Sequence, residues 1–107
     1  GLQVKSFTPL HLAAAGTTGK CAEALLEAGA NAEARAGPFK VTPLHVAAAF
    51  NNMGAVRALL KKGAEVSSAD GMGDTPLHVA LFKGSGEVVR PLVAAGADLH
   101  AKNNSGR

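Results

Sequence analysis

Four histidines, one cysteine and two glycine-rich runs are the residues of this 107-residue sequence that could do chemistry. His11, His45 and His78 suggest a three-imidazole zinc site or a general base. Each closes a Thr-Pro-Leu-His tetrapeptide, and these begin at Thr8, Thr42 and Thr75, spaced 34 and then 33 residues apart. Equivalent positions on helical units packed side by side are separated by about 8–10 Å. Zinc needs its nitrogens at about 2.1 Å, so three imidazoles spaced in this way cannot share one ion. Gly71-Met72-Gly73 is followed by Asp74, and Gly84-Ser85-Gly86 by Glu87. Neither completes a G-x-G-x-x-G phosphate loop nor supplies a P-loop lysine. Cys21 is alone, which excludes an internal disulfide and a cysteine-based zinc site. Asn103-Asn104-Ser105 matches a glycosylation sequon, which matters only in a secreted protein. The residues therefore predict no metal, no cofactor and no enzyme.

The same tetrapeptides organise the chain. A small-residue stretch follows each one (Leu12 to Ala15, Val46 to Ala49, Val79 to Phe82), and then a second apolar stretch ending in Gly-Ala at Gly29, Gly63 and Gly96. From each Thr to its Gly is 21 residues, so the extra residue of the first interval lies in the connection between Gly29 and Thr42. Thr is a helix N-cap, and Pro at the next position costs no backbone donor. Gly at the end supplies the left-handed residue that stops a helix. The spacing predicts three helix pairs, joined by Gly-, Pro-, Asp- and Ser-bearing segments at about 33–41 and 66–74 that read as extended hairpins. One such unit cannot bury its own apolar face, so the units must stack. By repeat register Cys21 aligns with Ala55 and Val88 and is expected to be a small core residue.

Composition narrows the function further. Apolar residues make up 47% of the chain, yet it has no Trp or Tyr and only four Phe. Ala, Leu and Val dominate, which lets helices approach closely. No apolar run is long enough to cross a bilayer, so no membrane insertion is expected. A net charge of +3 is too small for a dedicated nucleic-acid binder. A single thiol without a charged-then-apolar leader fits the cytoplasm or nucleus.

The repeated Thr-Pro-Leu-His, the alanine pairs after it, the Leu-Leu-x-x-Gly-Ala close and the period of 33–34 residues together resemble the ankyrin repeat. The resemblance implies an all-α repeat: a solenoid of stacked helix–turn–helix units joined by β-hairpin loops. It covers residues 1–107 as one domain, with repeats at about 8–41, 42–74 and 75–107 after a half hairpin at 1–7. An ending in phase with the repeat suggests an excerpt from a longer array. In the family the histidine of the tetrapeptide bonds within its turn and to the adjacent unit. This implies structural turn roles for Thr8, His11, Thr42, His45, Thr75 and His78. His100 stands where the family usually has Asn, and reads as a solvated loop residue. Two departures carry expectations. Thr17 and Asn51 replace the glycine found at Gly84, so the first inter-helix turn should shift onto Gly16 or Gly19. Pro91 should kink the last helix or delay its start.

In ankyrin arrays the partner usually meets the hairpin tips and the exposed flank of the first helix. Those positions lie four, three and one residue before each Thr and seven and eight after it, and they contain all four Phe. Phe7, Phe39, Phe50 and Phe82, with Met72, therefore form the expected apolar binding strip. Lys5, Lys62 and Lys83 are its expected basic rim, with Arg35 and Lys102 at the hairpin edges and Asp74 the one acid. This pattern implies a module that binds another protein through an apolar, basic-rimmed concave face, the partner being apolar and acidic. The alternative is a structural spacer segment of a longer array with no ligand of its own.

Overall fold

The computed structural model describes residues 6–106. Six helices follow one another as α1 (Pro9–Ala14), α2 (Lys20–Glu27), α3 (Pro43–Ala49), α4 (Met53–Lys61), α5 (Pro76–Lys83) and α6 (Gly86–Ala94). They form three antiparallel pairs. The first helices pack in one layer, α1 on α3 on α5, and the second helices in another, α2 on α4 on α6.

Helix ends fall where the residue types dictate. Thr8, Thr42 and Thr75 are extended N-caps whose hydroxyls accept from the His11, His45 and His78 amides, each with Pro in the first turn. The second helices stop at Gly29, Gly63 and Gly96, with φ of 95°, 84° and 95°. Behind each glycine, Ala30, Ala64 and Ala97 donate back to Leu25, Leu59 and Leu92 at 3.0 Å. This bond closes the Schellman motif and satisfies carbonyls that the helix end would otherwise orphan.

The core between the layers is built from Leu10, Leu44, Val56, Leu59, Leu77, Val88 and Leu92 with intervening alanines, and it contains no aromatic residue. Alanine matters most between neighbouring first helices. Ala14, Ala47, Ala48 and Ala80 are wholly inaccessible there, where a larger side chain would push the helices apart.

The connections carry no strand among the described residues, whose β pairing is an isolated antiparallel bridge between Ala36 and Val41. The loop backbones instead pair between neighbours. Gly71 N–H donates to Phe39 O at 2.6 Å and Asn104 N–H to Met72 O at 3.0 Å. The first inter-helix turn places neither Gly16 nor Gly19 in the left-handed region, which Asn51 (φ 53°) and Gly84 (φ 71°) do occupy in the other turns. Gly19 serves close approach instead, because a Cβ there would fall inside the backbone of Gly54. Pro91 does not delay α6, which starts 11 residues after its Thr, as α4 does, and runs through the proline.

Candidate functional site

The histidines are occupied by the fold. Thr8 N–H donates to His11 Nδ1 at 3.2 Å, and His11 Nε2 reaches the Val41 carbonyl at 2.8 Å. His45 repeats this with Thr42 N–H at 3.2 Å and the Asp74 carbonyl at 2.7 Å. A carbonyl can only accept, so Nε2 carries the proton and Nδ1 is the acceptor. Each imidazole thus bridges its own turn to the residue preceding the next Thr. Burial holds His45 below its ordinary pKa; the bond to the Asp74 carbonyl and the charges of Asp70 and Asp74 oppose this, and Arg35 reinforces it. With both ring nitrogens committed, His11 and His45 offer a metal no lone pair.

A second tie was missing from the sequence reading. Asn52 is buried at the start of α4. Its Oδ1 caps the helix by accepting from Ala55 N–H at 3.2 Å, while its Nδ2 donates to Thr18 O at 3.0 Å and Ala14 O at 3.3 Å. One amide therefore caps its own helix and pins the first pair. Its signal was the polar residue ten after each Thr: Thr18, Asn52 and Ser85.

The aromatic residues lie outside all of this. Phe7, Phe39, Phe50, Met72 and Phe82 keep between 49% and 82% of their area exposed. Phe7 sets its ring edge-on to His11, with centroids 5.5 Å apart. With Phe50 it flanks a groove of about 410 Å³ on the first-helix layer, which Leu12, Val46 and Val79 also line and whose surface is almost wholly carbon. Leu12 was not among the expected contacts, although position four after Thr is apolar in all three units.

The remaining expected residues do not line this groove. Met72 and Phe82 line a separate hollow over α5, and Phe39 lines neither cavity. The reason is register. Phe50 is eight residues after its Thr and Phe82 seven, a rotation of about 100° on a helix. Lys83 is exposed at the end of α5. Lys62 lies away from the groove, in the second-helix layer, where it lines a depression with Glu23, Glu27, Arg57 and Lys61. Arg35 is spent on the fold: its guanidinium donates to Lys40 O at 3.0 Å, Ala69 O at 2.7 Å and Ser68 Oγ at 2.9 Å, tying two loops together. Lys102 is exposed, and Lys5 lies outside the described residues.

Cys21 is exposed, correcting its assignment to the core. Its equivalents Ala55 and Val88 are buried because each faces the preceding helix pair, whereas none of the described residues covers that side of α2. No described helix is long and apolar enough to cross a membrane. A family model for ankyrin repeats, in three copies, matches residues 10–103. A search of curated proteins returned no match. Matched over most of its length, with helix pairs, capped turns and histidine bridges that recur in the same register, the chain belongs to the ankyrin-repeat family, whose repeats are generally protein-interaction modules.

Proposed function

We propose that this chain is a protein-recognition module, acting by binding and not by catalysis, with the concave face of a three-unit solenoid as its surface. The units run at about 8–41, 42–74 and 75–107 as one domain. The observation that carries the reading is the Phe7–Phe50 groove. Its walls are large apolar side chains in water, while the core beneath is completed by Ala, Leu and Val without them. Exposed aromatics around a carbon-lined hollow are the usual anchors of partner binding. The partner presents apolar side chains to the groove. An acidic segment beside them suits Lys83, with Lys5 and Lys102 as further candidates, while Lys62 serves only a partner that reaches the second-helix layer. A lone exposed thiol at Cys21 suits a reducing compartment such as the cytoplasm or nucleus.

The test is comparative capture from lysate with three immobilised proteins: wild type, Phe7→Ala/Phe50→Ala, and Arg57→Ala/Lys61→Ala in the other layer. Proteins retained by wild type and by the second-layer variant, and lost from the aromatic variant, support the reading. The same retention by all three favours a spacer segment whose contacts lie elsewhere.

A further inference from the structure

The hollow over the third helix pair differs chemically from the Phe7–Phe50 groove. The residue preceding each Thr is Phe7, Val41 and then Asp74, so the register position that gives the groove two carbon walls gives this hollow a carboxylate. Six and seven residues after Thr stand Ala14-Ala15 and Ala48-Ala49, but then Leu81-Phe82. The hollow, about 550 Å³, is therefore walled by Met72, Leu81 and Phe82 around one acid. Asp74 Oδ1 accepts from Asn103 Nδ2 at 2.8 Å, which fixes the carboxylate and leaves its other oxygen as the acceptor. His78 also lines the hollow, its Nδ1 accepting from Thr75 N–H at 3.2 Å.

We infer that, on the partner-recognition reading above, this hollow takes an arginine side chain of the bound protein. Carbon walls suit the aliphatic stem, and a single oriented carboxylate suits one cationic head. The guanidinium can lie on the Phe82 face while it pairs in its plane with Asp74. A lysine ammonium offers neither the plane nor the fork. An acidic side chain is disfavoured here, so the partner's acidic segment belongs nearer Lys83.

The test is an amide-detected NMR titration of the full chain with N-acetyl-argininamide, its neutral isostere N-acetyl-citrullinamide, and N-acetyl-leucinamide. The expected result is saturable shifts at Met72, Asp74 and Phe82 with the arginine probe and about fivefold or more weaker binding of the citrulline probe. Asp74→Asn keeps the acceptor for Asn103 and should bring the arginine probe down to the citrulline level in an otherwise unchanged spectrum. Equal binding of the two probes overturns the inference. So does an Asp74→Asn protein that binds the arginine probe as wild type does, or arginine shifts at Glu23 and Glu27 as large as those at Asp74. The leucine probe reports on the parent reading separately, through Val46 and Val79. Shifts there without an arginine site at Asp74 leave the groove standing and remove this inference alone.

Discussion

The second and third helix pairs open on the same four residues, yet α3 buries six of its seven residues and α5 only three of its eight. Both histidines accept at Nδ1 from the Thr amide at 3.2 Å, but His45 is 1% exposed while His78 is half-buried. The motif fixes local geometry, and packing on both flanks decides how much energy that geometry carries. Where fewer described residues pack alongside, as at α5, the same register leaves side chains exposed, and there the sequence has Leu81 and Phe82 in place of alanines.

Glycines at one register position break the comparison most sharply. Gly19 and Gly86 both lie 11 residues after their Thr. Gly19→Ala puts a Cβ into the Gly54 backbone and should cost about 3 kcal/mol in urea unfolding. Gly86→Ala meets nothing within 4 Å in the first turn of α6 and should be neutral or gain up to about 1 kcal/mol. Next in size, His45→Ala should cost about 1–3 kcal/mol, because it strands the Asp74 carbonyl and the Thr42 amide in a dry interface. His78→Ala should cost less than half of that. Equal losses would mean that burial does not set the weight of the motif.

The pH dependence sharpens the same contrast. His45 has its pKa lowered by folding, so the folded state resists a proton that the unfolded chain accepts. Its contribution is complete above the unfolded value of about 6.5 and is lost as pH falls from there toward the folded value. The melting temperature should drop between pH 7 and pH 5, and His45→Gln should flatten that drop. A melting curve independent of pH over this range would contradict the burial of His45 as a neutral ring.

Local structure was legible because capping and termination are short-range. Thr-Pro at each helix start and Gly after each second helix sufficed to place the pairs. Exposure was not legible where it depends on what packs alongside. Cys21 has the register of a buried residue but no described pair on its flank, and Lys62 shares a helix end with the repeat but points into the other layer. Arg35 counted as a free cation until the neighbouring loop came within 2.7 Å of its guanidinium. Phe50 and Phe82 are exposed as expected, and with a one-residue difference in register Phe50 lines the groove and Phe82 the hollow.

Smallest in its effect on folding, and most direct on function, is the pair Phe50→Ala/Phe82→Ala. Both rings lie outside the core, so unfolding free energy should change by less than about 0.5 kcal/mol. The deciding measurement is the calorimetric Kd of this double variant for a protein that wild type captures, taken at a temperature where both chains are folded. Loss of about 1–4 kcal/mol of binding, about fivefold or more in Kd, is the predicted result. An unchanged Kd, or a double variant that no longer folds, would contradict the claim that these rings serve a partner and not the core.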